Sequence, residues 1–133
     1  MLFISEQWLL ITILCASVSA LIIVEGQRSG KSLSYHAVTH MLNNNLAILL
    51  DVRDAKEFSS GHIVDAINIP YAKLSERCDE LKKHAEKTII IVDKMGQHAG
   101  AAGKQLKQNG YQVNRLQGGM SEWTSQNLPV VKS

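Results

Sequence analysis

The sequence contains few of the residues that carry redox and covalent chemistry. Among 133 residues there are two cysteines, and aromatic residues make up only 5%. Cys15 lies in a long apolar run and Cys78 lies outside it, so the remainder of the chain cannot form an internal disulfide. The formal net charge of +2 is too small, and too evenly spread along the chain, to indicate a nucleic-acid surface.

Charge is absent altogether from Trp8 to Val24, a run of 17 residues. At about 1.5 Å per residue, a helix of this length reaches roughly 25 Å, the short end of what crosses a bilayer core. We therefore predict a single transmembrane anchor within residues 1–24, with membrane contact through residues 8–24. A signal peptide is the main alternative, because Val18-Ser-Ala20 resembles a cleavage site, but no Lys or Arg precedes the run. A core helix is less favoured still, because the run has no polar face.

The charges that flank this run predict its orientation. Arg28 and Lys31 follow it, partly offset by Glu25, and no basic side chain precedes it. The excess of positive charge on cytoplasmic flanks then predicts that the rest of the chain faces the cytoplasm from the inner (plasma) membrane. Residues 25–32 are rich in Gly, Ser and charge, which is typical of a linker, so we expect the folded domain over residues 33–133.

Beyond the linker, apolar runs alternate with helical patterns. Helices are predicted at Ser34 to Leu42, Ala55 to Ser59, Tyr71 to Glu86 and Ala99 to Asn109, and a last helix holds Trp123. Short strands are predicted at Ile67 to Ile69 and Val113 to Leu116. Two continuous apolar runs, Leu46 to Leu50 and Thr88 to Val92, are typical of strands covered on both faces. This alternation predicts an α/β domain around a parallel sheet of four to five strands. Ligands of such sheets bind at the carboxyl ends of the strands, where Asp51 and Asp93 are placed.

The loop after the second buried strand is the main candidate site. It comprises Asp93, Lys94, Met95, Gly96, Gln97 and His98 and leads into a small-residue helix start. In a strand-loop-helix of this kind, the loop N–H groups and the helix N-terminus form a cradle that favours an anion. A cysteine at the first position would be held as a reactive thiolate.

Several segments together resemble the rhodanese-like domain family. The active loop of that family reads Cys-x-x-Gly-x-Arg, and the chain also has segments similar to its Asp-Val-Arg, Glu-Phe, Gly-His-Ile, Asn-Ile-Pro and Gly-Gly-x-x-x-Trp motifs. The matching residues outside the loop are Asp51, Arg53, Glu57, Phe58, Gly61, His62, Gly118, Gly119 and Trp123. Together the segments cover about Leu33 to Pro129, and as a combination they are far more specific than any one alone.

The resemblance implies a three-layer fold around a parallel sheet, and a family activity in which the loop cysteine carries sulfane sulfur. Asp93, however, stands at the cysteine position and His98 at the arginine position, whereas Gly96 is retained. A carboxylate cannot carry a persulfide, so fold resemblance does not bring the activity with it. We expect a membrane-anchored bacterial type of rhodanese-like domain without a catalytic residue, which binds or scaffolds an unknown protein partner and uses no cofactor or metal.

Alternative hypotheses remain for several residues. Sulfur transfer could proceed through Cys78 or a partner's cysteine, although Cys78 has no cradle in its local sequence. Asp93 could accept a phosphoryl group with Asp51 holding Mg²⁺, but we favour Asp93 as a cap for loop N–H groups. Asp51, Arg53 and Glu57 are expected to pair or cap, and His62 to be a structural histidine.

Overall fold

A computed structural model describes residues 2–132, with side chains for all of these except residues 2–5 and 22–29. The described helices are α1 (Leu2–Ser29), α2 (Tyr35–Asn43), α3 (Ala55–Ser60), α4 (Leu74–Arg77), α5 (Ala99–Gln108) and α6 (Gly119–Ser125). The described strands are β1 (Lys31–Leu33), β2 (Ala47–Asp51), β3 (Ile67–Asn68), β4 (Thr88–Val92) and β5 (Val113–Leu116). Short 3-10 helices at Tyr71–Lys73 and Cys78–His84 flank α4.

The strands form one parallel sheet in the order β1-β5-β4-β2-β3. Successive residues of β4 point to opposite faces, so Ile89 and Ile91 pack with α5 on one side. Ile90 and Val92 pack on the other side with α2 and α6, through Val38 and Trp123. Burial on both faces explains why the central strands are continuous apolar runs. The predicted α/β fold with a parallel sheet of four to five strands is confirmed, with five strands.

The segment predicted as a linker has regular backbone structure. Residues 25–29 belong to α1, and Lys31–Leu33 form β1, which pairs with β5 at one edge of the sheet. Gly30 joins the two elements at φ +90, where an added Cβ would lie 2.7 Å from the carbonyl oxygen of Val113. The Nε of Arg115 also donates a 3.0 Å hydrogen bond to the Gly30 carbonyl. A residue with a side chain would therefore not fit at this junction.

α1 contacts α5, but the side chains of residues 6–21 are all exposed. The large apolar ones, from Trp8 through Leu21, are 48–68% exposed and lie on every face of the helix. Within the described part of the chain, no helix combines the length and the apolar character needed to cross a bilayer.

The predicted helix from Tyr71 to Glu86 is broken into α4 and its two flanking 3-10 helices. Leu74 and Leu81 are nevertheless both fully buried, and Cys78 packs against the same core. Cys78 and Leu81 are three residues apart, a spacing that a 3-10 helix places on one face. The predicted segment is therefore helical, but it is not one continuous α-helix.

Candidate functional site

The loop from Asp93 to His98 lies at the carboxyl end of β4 and is closed around the carboxylate of Asp93. This side chain is 2% exposed. Its Oδ2 accepts hydrogen bonds from the backbone N–H groups of His98 at 2.7 Å and Ala99 at 3.0 Å. Its Oδ1 accepts a short hydrogen bond from the N–H of Gly96. The donors that would make the loop an anion cradle are thus occupied by a group of the chain itself.

Gly96 allows the loop to turn back on Asp93. It has φ +102, a conformation that residues with a Cβ seldom adopt, and an added Cβ would meet open space. The glycine is therefore required by its backbone conformation, not by crowding. The hypothesis that Asp93 caps the following segment agrees with these bonds.

The start of α6 packs directly against the same loop. The N–H groups of Met120 and Ser121 donate to the carbonyl oxygens of Asp93 at 2.8 Å and Lys94 at 2.9 Å. An added Cβ at Gly119 would lie 2.9 Å from Asp93 Oδ1 and 3.0 Å from the carbonyl carbon of Lys94. The second glycine of the Gly-Gly motif thus permits close approach of two backbone segments. The sequence pattern does not indicate this contact, because the motif and the loop are more than twenty residues apart.

A cavity of about 220 Å³ adjoins the loop. Its lining includes Arg53, Asp54, Glu57, Tyr71, Asp93, Lys94, Gln97 and His98. The ring of His98 stacks on that of Tyr71, with centroids 4.8 Å apart. The cavity brings together Arg53, Glu57 and the loop, and adds Tyr71, for which no sequence motif indicated a functional role. A larger cavity of about 370 Å³ lies elsewhere, lined by Asn43, Ala47 and Lys87 near the amino ends of β2 and β4.

Asp51 and Arg53 form a buried ion pair beside the smaller cavity, the one that adjoins the loop. The Nη2 of Arg53 donates to Asp51 Oδ2 at 2.8 Å and to the carbonyl oxygen of Gly61 at 2.8 Å. The Asp51 carboxylate is 1% exposed and also accepts from the backbone N–H of Arg53. Because this carboxylate is held by a guanidinium, it is not available as a Mg²⁺ ligand in this arrangement.

The remaining motif residues make structural contacts. His62 is buried, stacks on Phe58 at 3.8 Å between ring centroids, and pairs through Nδ1 with the Phe58 carbonyl oxygen at 2.7 Å. The indole Nε1 of Trp123 donates to the carbonyl oxygen of Pro129 at 2.9 Å, and Trp123 is buried. The contacts of His62 agree with its expected role as a structural histidine, and Trp123 is part of the core.

Cys78 is half-buried and does not line the cavity beside the loop. Its thiol lies 3.8 Å from the carbonyl oxygen of Ser75, and its own carbonyl accepts from the hydroxyl of Tyr111 at 3.1 Å. Burial, followed by the nearby Cys78 and Asp79, raises the pKa of Tyr111. Among the contacts of the described residues, the thiol has no cradle of backbone N–H groups around it, so the geometry gives Cys78 no activation.

The fold and the loop define a class: a parallel α/β domain with a strand-loop-helix at the carboxyl edge of the sheet. The sequence pattern of the rhodanese-like domain matches residues 34–126. The chain therefore belongs to the rhodanese-like domain family, as its motifs indicated.

Three relatives illustrate the breadth of the similarity. The uncharacterized protein YibN of Escherichia coli strain K12 is 33% identical over 96 residues, which cover 71% of this chain and 67% of YibN. The crystal structure of a rhodanese-related protein from Thermoplasma volcanium has a TM-score of 0.71 at 27% identity and covers 77% of this chain and 99% of that one. A thiosulfate sulfurtransferase from Pseudomonas aeruginosa also has a TM-score of 0.71 at 25% identity, covering 83% of this chain but 22% of its own.

Proposed function

We propose that this chain is a membrane-tethered rhodanese-like domain that does not transfer sulfur and acts as a protein-binding or scaffolding module. The observation that carries the proposal is the buried carboxylate of Asp93, which accepts hydrogen bonds from three loop N–H groups. At the position that the family motif gives to cysteine, this side chain offers no sulfur and occupies the donors that an anionic substrate would need.

A negatively charged ligand would also meet the charge of Asp93 itself. Glu57 and Asp54 line the same cavity, so three acidic residues stand there with the cations Lys94 and Arg53. Arg53 is already paired with Asp51. Thiosulfate is a dianion. It would therefore find no cradle of unpaired loop N–H groups, and the charges of the cavity would attract it only weakly. Recognition of a protein surface by the exposed part of the domain is the better-supported role.

The tether is supported by the uncharged run from Trp8 to Val24 and by the exposure of apolar side chains all around α1. A contiguous apolar surface of this kind is unfavourable in water and indicates contact with a membrane or another protein. In the proposed arrangement the domain faces the cytoplasm from the inner membrane.

A thiosulfate:cyanide assay on the full chain in mild detergent tests the absence of sulfur transfer. We expect no turnover above background for the natural chain or for Cys78→Ser. The doubly substituted variant Asp93→Cys with His98→Arg should gain measurable thiocyanate formation, because it restores both motif residues in a loop that retains Gly96. Turnover by the natural chain that Cys78→Ser abolishes would establish the alternative, sulfur transfer through Cys78.

The tether and its orientation are tested separately on native membranes. Carbonate extraction at high pH should leave the chain in the membrane pellet, and protease added to inverted vesicles should digest the domain while protease added to right-side-out cells should not. Release of the chain by carbonate would refute the tether, and digestion from outside would refute the orientation. Crosslinking in the same membranes would then identify the protein partner.

A further inference from the structure

The chain after α6 continues as a non-helical segment, residues 128–132, which we call the strap. Asn127 has a left-handed conformation, at φ +57, and ends the turn that follows the helix. Pro129 is confined to one value of φ, and two β-branched residues, Val130 and Val131, come after it. These residues favour extended backbone, as in a strand.

The strap pairs with the domain through one side of its backbone. The N–H of Val131 donates to the carbonyl oxygen of His62 at 2.8 Å, and the N–H of His62 donates to the carbonyl oxygen of Val131 at 2.9 Å. In an antiparallel pair of this kind, the N–H and C=O groups of the adjacent residues point away from the partner strand. The backbone groups of Val130 and the N–H of Lys132 therefore face outward, and they have no hydrogen-bond partner among the described residues.

The side chains of the strap alternate between two cavities. Pro129 and Val131 line the larger cavity, whereas Val130 lines a third cavity, next to Gly61, that shares no lining residue with the larger one. This alternation agrees with the geometry of a strand, because successive side chains point to opposite sides. The apolar lining of the larger cavity also includes Leu42, Ala47, Leu49, Ile63, Val64 and Trp123.

The larger cavity has apolar walls that are in part uncovered. Val64 and Val131 line it and are 60% and 40% exposed. Its charged lining residues, Asp65 and Lys87, have opposite signs, so the lining carries no net charge. Uncharged, exposed apolar surface beside a cavity is typical of a site that another molecule covers.

We propose that an extended segment of a partner protein pairs with the outer edge of the strap as an added strand and places an apolar side chain in the larger cavity. This inference rests on the proposed function and names the surface that the partner contacts. Free N–H and C=O groups at a strand edge are bound by an extended chain, since a helix already uses its own backbone groups. In an added strand, every second side chain lies on the face of Pro129 and Val131, which is the face of the larger cavity.

The strap offers few hydrogen bonds, so the side chain in the cavity contributes much of the affinity. Pro129 has no N–H, which leaves Val130 and Lys132 as the backbone donors of the outer edge. The cavity volume of about 370 Å³ lies within the usual range of ligand pockets, roughly 300–1,000 Å³. A second copy of the strap would present equally few donors and no further side chain for the cavity. A second copy is therefore the alternative occupant that the experiment distinguishes.

The test selects short random peptides, displayed on phage, for binding to the full chain in phosphatidylcholine nanodiscs, with empty nanodiscs as the counter-selection. We expect enriched peptides with apolar residues at alternate positions. In a synthetic copy of such a peptide, N-methylation should weaken binding by about tenfold at every second residue only, because alternate N–H groups of an added strand face the strap.

Hydrogen exchange read by NMR identifies the edge that the peptide occupies. The amide hydrogens of Val130 and Lys132 should exchange about tenfold more slowly with the peptide bound, whereas that of Ser32, on the edge strand β1, should be unchanged. Val64→Asp should weaken binding by about tenfold, because it places a charge beside the apolar cavity. The matched control is Leu46→Asp, since Leu46 is 53% exposed and does not line the cavity, and its affinity should stay within about twofold of that of the natural chain.

Three results would overturn the inference: no enrichment over empty nanodiscs, no alternation in the effect of N-methylation, or equal effects of Val64→Asp and Leu46→Asp. A dimer of the chain that Val64→Asp dissociates, measured by light scattering in mild detergent, would identify a second copy as the occupant and would also overturn it. The thiosulfate:cyanide assay separates this inference from the proposed function. Turnover by the natural chain would refute the absence of sulfur transfer without affecting peptide binding, whereas no turnover and no peptide binding would refute the strap site alone.

Discussion

The carboxylate of Asp93 accepts hydrogen bonds from three backbone N–H groups that would otherwise have no partner. Asp93→Asn keeps the size of the side chain but turns one oxygen into an NH₂ group that must face an N–H donor. We expect the free energy of unfolding to fall by about 1–3 kcal/mol, the usual cost of leaving a buried polar group without a partner. Denaturation of the full chain in mild detergent, followed by circular dichroism, measures the change.

The matched control for that change is Asp54→Asn. Asp54 is exposed and makes no side-chain capping bond at the start of α3, so its replacement should change stability by less than about 0.5 kcal/mol. Equal effects of the two substitutions would show that the loop does not depend on the carboxylate of Asp93.

Asp65, the residue before Ala66, has a backbone φ of +64. Aspartate tolerates this left-handed conformation better than alanine does. We expect the Asp65→Gly variant to be at least as stable as the natural chain. The free energy of unfolding of the Asp65→Ala variant should be lower than that of the natural chain by about 1 kcal/mol. Thermal unfolding of the three chains tests the order, and an alanine variant as stable as the glycine variant would contradict it.

At the scale of elements, the close packing of α6 against the Asp93 loop depends on one residue, Gly119. Gly119→Ala would place a methyl group against Asp93 and the backbone of Lys94 in addition to forcing an unfavourable φ. We expect the free energy of unfolding to fall by about 2 kcal/mol or more, because the backbone strain and the steric overlap act together.

Gly110→Ala isolates the strain, because Gly110 has φ +91 and open space around its Cβ position. The free energy of unfolding of the Gly110→Ala variant should fall by only about 1–2 kcal/mol, again measured by denaturation of the full chain. A Gly119→Ala chain no less stable than the Gly110→Ala chain would show that the loop and α6 can move apart freely.

The elements that the sequence predicted well are those with a clear apolar pattern. β2 and β4 are continuous apolar runs, and α5 begins and ends within a residue of its expected bounds. β1 was not predicted, because Lys31 and Ser32 are exposed and give the strand no apolar pattern. The strand is held by backbone pairing with β5. The break in the Tyr71–Glu86 helix was missed because α and 3-10 helices bury nearly the same leucines.

The candidate site was predictable only in part, for a related reason. The loop and its capping aspartate follow each other in sequence, so the local pattern was sufficient. The contact of Gly119 with Asp93 and the stacking of Tyr71 on His98 join segments far apart in the chain. Only the assembled sheet brings these segments together.

At the scale of the whole molecule, the junction at Gly30 determines how force would pass between α1 and the domain. A pull on α1 reaches the sheet first through β1, an edge strand with three paired residues. β2 and β4, by contrast, share five pairs in the centre of the sheet. We expect single-molecule pulling from residue 6, with residue 132 fixed, to show a small early extension as β1 detaches, followed by a larger rupture of the core.

A single rupture, with no earlier step, would contradict that order. If the order holds, the domain is mechanically weakest at its own attachment point. Tension on the tether would then be relieved by a short, reversible lengthening of the chain, while the core strands and the loop that they support stay folded.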